Sequence, residues 1–176
     1  MDGPVLVLPG YGNSGSDHWQ TRWEARHPAW RRVDLGDWAA PQCDEWIGKL
    51  ERAVRDCHAP PILVAHSLAC LLVAHWAGRS TAPIVSAFLV AVPDPSATAF
   101  PTAARGFAPV PMQPLPFRSL VVASTDDPVG SAAHARRCAE AWGSRVVEIG
   151  PAGHINAESG HGDWKAGYAL FRQIAM

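Results

Sequence analysis

The chain has 176 residues, 48% of them hydrophobic, and its 15 basic and 16 acidic side chains give a formal net charge of −1. This length fits one domain with a sizeable core and leaves no room for a second, substrate-binding domain, while the balanced charge argues against nucleic acid as a partner. The four cysteines are far apart, no signal peptide is recognisable, and no apolar run reaches the roughly 18 residues of a membrane span. We therefore expect a reduced cytoplasmic protein that needs no metal and has no membrane partner.

Six short aliphatic segments predict the strands of a sheet. Most of them are near-continuous apolar runs, a pattern typical of parallel strands that are covered on both faces. The segments are Val5 to Leu8, Arg32 to Leu35, Ile62 to Ala65, Phe88 to Val92, Leu120 to Ala123 and Val146 to Ile149. Because helical patterns lie between them, we predict a single α/β domain over residues 1–176, with a mostly parallel sheet and helices on both faces.

The helical patterns differ in how much of their surface is apolar. They occupy residues 41–57, 68–77 and 131–143, and a last helix is predicted to run through Ile174. The helix at 68–77 is apolar nearly all round and is therefore predicted to be central and buried. Ser131 and Gly143 are predicted to cap the third helix, and Asp163 is predicted to cap the last one.

A glycine cluster follows the first strand in the stretch LPGYGNSG, residues 8–15. Gly10, Gly12 and Gly15 fit the G-x-G-x-x-G spacing of dinucleotide-binding proteins, and Asp34 lies about 20 residues further on, where a ribose-binding acid would sit. Asp17, however, would repel a pyrophosphate from the start of the following helix. A dinucleotide-binding protein is thus a weaker alternative.

Ser67 lies where the third strand turns into the helix at 68–77, in the stretch ILVAHSLAC. A nucleophile elbow, G-x-S-x-G, needs small residues two before and two after its serine, and Ala65 and Ala69 occupy these positions. Serine is also a preferred helix cap, so this stretch alone leaves nucleophile and cap open.

An acid and a base follow Ser67 in the chain. Asp126 and Asp127 come just after the fifth strand and His154 follows the sixth, at the edge where parallel sheets build their sites. The order Ser, Asp, His is that of α/β-hydrolases. We favour Asp127, which Pro128 holds in place, as the acid.

Other residues compete for these roles. His161 also follows the aspartates but lies further from the strand end, and Asp126 and Asp94 are the less favoured acids. His66, inside the elbow, is predicted to point away from the site that Ser67 faces.

Together these motifs resemble the small α/β-hydrolase-fold serine hydrolases of the retinoblastoma-binding protein 9 type. The shared stretches are PGYG from Pro9, DHW from Asp17, AHSLA from Ala65, VAVPDP from Val90, Phe100 with Pro101, LPF from Leu115, VVASTDDP from Val121 and GPAGHIN from Gly150. The resemblance implies a minimal α/β-hydrolase fold with strand order 2-1-3-4-5-6 and no cap domain. It also implies that Ser67 is the nucleophile, Asp127 the acid and His154 the base. The L-x-C-x-E peptide that binds the tumour suppressor is missing, since RRCAE has Arg136 at the leucine position, so we do not expect that partner.

The predicted reaction is hydrolysis of an ester, thioester or amide of a small acyl substrate, without a cofactor. The backbone amides of Tyr11 and Leu68 are predicted to form the oxyanion hole. Many enzymes of this fold carry a helical cap, but here residues 93–118 contain seven prolines and no periodicity, which predicts an irregular connection and a shallow site. The candidate pocket residues are His18, Trp19, Phe100 and Phe107, and the three aromatic residues fit the hydrophobic core equally well. A non-catalytic, partner-binding protein on the same scaffold is the remaining alternative.

Overall fold

A six-stranded sheet forms the centre of the computed structural model, which describes residues 3–175. Its strands are β1 (Val5–Leu8), β2 (Arg31–Arg32), β3 (Ile62–His66), β4 (Ser86–Val90), β5 (Arg118–Ala123) and β6 (Arg145–Glu148). Every neighbouring pair is parallel, and the order is β2-β1-β3-β4-β5-β6. The predicted order is confirmed, and the sheet is parallel throughout.

Three strands end earlier than their apolar residues predict: β6 by one residue, and β2 and β4 by more. Strand β2 pairs with β1 over only two residues, and the Asp34 carboxylate then accepts a hydrogen bond from the amide of Gly36 (2.9 Å), which turns the chain away. Strand β4 ends at Val90 because Ala91 has a φ of 58°, outside the range of extended backbone.

The described part of the chain contains five helices, of which the first four lie between strands and the last follows β6. They are α1 (Trp19–Arg26), α2 (Cys43–Arg55), α3 (Leu68–Ala77), α4 (Ala132–Trp142) and α5 (Lys165–Arg172). Helix α3 has the predicted bounds, and α4 begins after Ser131 and ends at Gly143 as predicted. None of these helices is long and apolar enough to cross a membrane.

The predicted cap at Asp163 is wrong. Helix α5 begins after Trp164, without a side-chain cap, and ends before Ile174. The Asp163 carboxylate instead forms ion pairs with Arg22 (3.5 Å) and Arg26 (2.6 Å) of α1.

Successive strand residues face opposite sides of the sheet, so each side has its own hydrophobic core. Leu63 and Ala65 of β3 belong to the core formed with α2, α3 and α4, whereas Ile62 and Val64 belong to the core formed with α1 and α5. Helices therefore cover both faces, as predicted. This arrangement holds the carboxyl end of β3 and the start of α3 between two packed layers.

The connection from β4 to β5, residues 91–117, is irregular and contains no helix among the described residues. Phe107 anchors it: its ring is 1% exposed and lies 5.7 Å from that of Trp46, and its carbonyl accepts a hydrogen bond from His75 Nε2 (3.1 Å). Phe107 is thus a core residue, and its prediction as a pocket residue is wrong.

Candidate active site

Ser67 occupies the sharp turn between β3 and α3, with φ of 55° and ψ of −123°. Ala65 and Ala69 are fully buried on either side, which allows the strand and the helix to approach closely. The serine side chain makes no capping hydrogen bond to α3, so the helix-cap interpretation is wrong.

The Ser67 hydroxyl instead begins a chain of hydrogen bonds. Its Oγ lies 2.7 Å from Nε2 of His154, whose Nδ1 lies 2.8 and 2.9 Å from the two carboxylate oxygens of Asp127. The Asp127 side chain is 1% exposed and also accepts the amide hydrogen of Val129 (2.8 Å). A carboxylate on Nδ1 holds the proton there, so the Nε2 lone pair faces the serine hydroxyl.

The competing residues lie elsewhere. Asp126 is exposed, and its Oδ1 accepts hydrogen bonds from Ser124 Oγ and from the amide of Gly153 (both 2.8 Å), which lower the pKa of its carboxyl. The Asp94 carboxylate bonds to Ser96, and the His161 ring to Ser159 Oγ (3.1 Å). Asp126 therefore joins the loop after β5 to the loop that carries His154, without touching the imidazole.

His66 contradicts its prediction, because it lines the cleft and contacts the base. Its Nε2 donates to the backbone carbonyl of His154 (2.9 Å), and the two rings are 5.1 Å apart. Burial lowers the pKa of His66 well below its ordinary value, so the ring is neutral. Strand alternation places His66 on the α1 face, and the prediction failed because the loop with His154 and Ile155 lies over that same face.

The loop after β1 packs so closely on the elbow that only glycine fits at position 10. A Cβ at Gly10 would lie 2.9 Å from both the His66 carbonyl oxygen and the Ser67 Cβ, and 3.1 Å from the Leu68 amide nitrogen, closer than real Cβ contacts allow. The loop after β1 therefore lies directly against the elbow. Tyr11, the next residue, and Leu68 both line the cleft beside Ser67.

The hydrogen-bonded chain opens into a cleft of about 630 Å³. Its lining residues are Tyr11, Asn13, Gly15, His18, His66, Ser67, Leu68, Pro93, Ala99, Phe100, Pro101, Thr102, Val129, His154, Asn156, Ala157 and Glu158. His18 and Phe100 line it as predicted. Asn13 and Asn156 belong to the stretches LPGYGNSG and GPAGHIN, but nothing in those stretches, or in the sequence around Glu158, indicated that these side chains line the cleft.

Trp19 is a core residue, so its prediction as a pocket residue is wrong. Its ring is fully buried against Trp23 (4.6 Å between centroids), and its Nε1 donates to the carbonyl of Ile155 (2.9 Å). Through this hydrogen bond Trp19 holds the loop after β6 in place, and it does not line the cleft. Within residues 3–175, no group of three or more His, Cys, Asp or Glu side chains is arranged to hold a metal ion.

Comparisons with known proteins identify the family and the fold of the chain. The family model described as serine hydrolase matches residues 5–173. A YdeN-like hydrolase from Pectobacterium atrosepticum is 32% identical, with a TM-score of 0.86 over 98% of this chain and 90% of that one. The ydeN gene product of B. subtilis is 19% identical (TM-score 0.82, 98% of both chains), and the esterase domain of a Rhodothermus marinus protein is 15% identical (TM-score 0.72, 97% of this chain and 85% of that one). No curated protein matches the sequence. The chain belongs to the serine hydrolase family and has the α/β-hydrolase fold.

Proposed function

We propose that this hydrolase cleaves an ester, thioester or amide bond of a small acyl substrate through an acyl-enzyme formed on Ser67. The observation that carries the proposal is the continuous hydrogen-bonded chain from Ser67 Oγ through His154 to Asp127, at the wall of an open cleft. A carboxylesterase-like specificity agrees with this open site.

In the first half of the reaction, Ser67 Oγ attacks the carbonyl carbon while His154 Nε2 takes the hydroxyl proton. The tetrahedral intermediate then collapses, and His154 returns the proton to the leaving atom. In the second half, His154 deprotonates a water that attacks the acyl-enzyme, and the acid product leaves. Asp127 keeps the proton of the imidazole on Nδ1 and stabilises the imidazolium that forms in both halves.

The backbone amides of Tyr11 and Leu68 are the proposed donors to the oxyanion. Leu68 is the first residue of α3, where amides point out of the helix without an intrahelical acceptor. The close approach of Gly10 to the Leu68 nitrogen brings the Tyr11 peptide to the same side of the elbow. Loss of one such donor costs about 3–4 kcal/mol of transition-state stabilisation in other enzymes.

The finer family relationship is also part of the proposal. The motifs around Tyr11, Ser67, Asp127 and His154 support a protein of the retinoblastoma-binding protein 9 type. Because Arg136 replaces the leucine of the L-x-C-x-E peptide, we expect a small-molecule substrate and no binding to that tumour suppressor.

Turnover of p-nitrophenyl acetate and butyrate tests the proposal. The wild-type protein should hydrolyse these esters, and Ser67→Ala should lower kcat by at least about 10³-fold, since the acyl-enzyme can no longer form. Ser96→Ala, which changes an exposed serine outside the cleft, is the matched control and should keep the activity. Equal activity in the wild type and Ser67→Ala, or none in the wild type, would favour the non-catalytic, partner-binding alternative.

A further inference from the structure

His18 carries a buried nitrogen that no protein atom satisfies. The residue is 5% exposed and lines the cleft, yet its Nε2 has no hydrogen-bond partner within the described part of the chain. Buried polar groups in folded proteins almost always have a partner, and a ligand is one of the partners that an active-site group can await.

The protonation state of this ring makes Nε2 a donor. His18 precedes α1, and its Nδ1 accepts the amide hydrogen of Gln20 (3.2 Å), which leaves no proton on that nitrogen. Burial, together with the nearby positive charge of Arg32, lowers the pKa of His18 to about 4. The ring is therefore neutral at pH 7, with its single proton on Nε2.

Two amides add donors to the same cleft. The Oδ1 of Asn13 accepts hydrogen bonds from the Ser14 amide (2.8 Å) and from Arg32 Nη1 (3.1 Å), and the Oδ1 of Asn156 accepts from the Ser159 amide (3.0 Å). Because the protein occupies both oxygens, the NH₂ groups are what these side chains can offer to a ligand. We call His18, Asn13 and Asn156 the donor wall.

The charges around the cleft select among oxygen ligands. No lysine or arginine is among the residues that line the cleft, whereas Glu158 is. Arg32, which bonds to Asn13 Oδ1, is already paired with the Glu24 carboxylate. An anionic group would therefore meet Glu158 without a free cation to compensate it. The donor wall suits a neutral oxygen acceptor, such as an ether, hydroxyl or carbonyl oxygen.

The donor wall lies beside the loop that carries the base. The residue after His18, Trp19, bonds to the carbonyl of Ile155 (2.9 Å), and Asn156 follows in the same loop. The His66 ring is 4.6 Å from the ring of His18 and 5.1 Å from that of His154. Since His154 protonates the leaving atom, a group next to this loop meets the leaving-group side of the substrate.

We propose that His18 is a specificity-determining residue whose Nε2–H donates to a neutral oxygen on the leaving group. The preferred substrates are then esters whose alcohol carries a second oxygen close to the scissile bond. This inference rests on the proposed hydrolase function. No bond to His18 forms or breaks in the reaction.

Two isosteric pairs of esters test the inference. The first pair, 2-methoxyethyl butyrate and butyl butyrate, differs only by an acceptor oxygen in the leaving alcohol. The second pair, ethyl 3-methoxypropanoate and ethyl pentanoate, carries the same change in the acyl chain. The measurement is the ratio of kcat/KM within each pair, divided by the ratio for alkaline hydrolysis of the same esters. This division removes their intrinsic difference in reactivity.

The variants are His18→Ser and His18→Thr. Both side chains are favoured caps that keep an acceptor for the Gln20 amide, and their hydroxyl groups are too short to reach the position of Nε2, so the donor is removed from the cleft. Asp17→Asn is the matched control, because Asp17 is the exposed neighbour of His18 and does not line the cleft. Active sites are counted by fluorophosphonate titration, so that partly folded protein does not alter the ratios.

We expect the wild type and Asp17→Asn to prefer 2-methoxyethyl butyrate by about fivefold or more, the factor that one neutral hydrogen bond supplies. In the two His18 variants this ratio should fall to about one, since the donor is gone. An unchanged ratio in the variants, or no preference in the wild type, would overturn the inference. A preference confined to the acyl pair would overturn the leaving-group assignment. Absence of hydrolysis of all four esters by the wild type would instead count against the proposed function.

Discussion

Ser67 has a backbone conformation that residues other than glycine rarely adopt. Its φ of 55° with ψ of −123° lies outside the common regions, and such a conformation costs about 1–3 kcal/mol. The cost is met by the packing of β3 and α3, whose residues at this junction are fully buried. Strain of this kind persists where a side chain must be presented outward, which is what a nucleophile needs.

The two neighbouring aspartates should differ sharply on substitution. Asp127→Asn removes the carboxylate that fixes the imidazole tautomer, so kcat for p-nitrophenyl butyrate should fall by about 10⁴-fold. Asp126→Asn still offers an oxygen to the amide of Gly153, so its kcat should fall by about tenfold at most, the factor of one weakened hydrogen bond. A larger loss in Asp126→Asn than in Asp127→Asn would reverse the assignment of the acid.

The sequence predicts which residues form the hydrogen-bonded chain better than it predicts whether a side chain lies in the cleft or in the core. Ser67, Asp127 and His154 could be chosen because each follows a predicted strand in the order that α/β-hydrolases use. Trp19 and Phe107 could not be placed, because a large aromatic residue near a site has the same sequence signature whether it lines the cleft or fills the core.

The elbow and the loop after β1 act as one structural element. Gly10 permits this, since any side chain there would meet the His66 carbonyl and the Leu68 nitrogen, both of which are backbone atoms that cannot swing aside. The close packing on the elbow thus explains the glycine cluster without a dinucleotide. The Asp34 carboxylate accepts a hydrogen bond from the Gly36 amide in its own turn, so it has a structural role as well.

Gly10→Ala should damage both stability and activity. The added methyl group overpacks the elbow, which should cost about 1–3 kcal/mol of unfolding free energy in denaturant titrations. It should also lower kcat, because Ser67 and the Leu68 amide must shift. Gly48→Ala, in α2 and with no atom within 4 Å of the new Cβ, is the control. If Gly10→Ala has wild-type stability and kcat, the close packing of this loop on the elbow is wrong.

The elements that the sequence predicted best are those that the core defines. Helix α3 is apolar on nearly every side, and its bounds were predicted to the residue. The end of edge strand β2 and the start of α5 were not predicted correctly, because contacts between residues distant in the sequence determine these bounds. The Asp163 side chain, for example, pairs with α1 in preference to capping its own helix.

For the whole molecule, the parallel sheet with helices on both faces followed from the alternation of apolar strands and helices. The strand order followed from the resemblance to α/β-hydrolases. The donor wall could not be predicted, because it combines the loops after β1 and β6, which are separated by over a hundred residues in the sequence. Only the folded chain brings these loops together.

Buried histidines should make the fold sensitive to acid. The pKa of His18 is lowered to about 4, and that of His66 is well below 6.5, in both cases mainly by burial. Below pH 6.5 the unfolded chain binds protons at these rings while the folded chain does not. The stabilisation is therefore complete above pH 6.5 and is lost as pH falls toward 4.

Each such ring should contribute about 1.4 kcal/mol per pH unit to this loss. Urea titrations at pH 7, 6 and 5 measure it as the change in unfolding free energy. His18→Asn should reduce the slope between pH 6 and 5 by about one proton equivalent. Ser96→Ala, at an exposed residue that does not titrate, is the control and should have the wild-type slope. Equal slopes in His18→Asn and the wild type would show that His18 is protonated in the folded state.

Covalent labelling of Ser67 tests the central claim most directly. The protein is treated with a fluorophosphonate, and the modified residue is located by mass spectrometry of its peptides. The account predicts one adduct, on Ser67, that is absent in Ser67→Ala and forms orders of magnitude more slowly in His154→Ala. An unlabelled Ser67 in the folded wild-type protein, or labelling at the wild-type rate in His154→Ala, would contradict it.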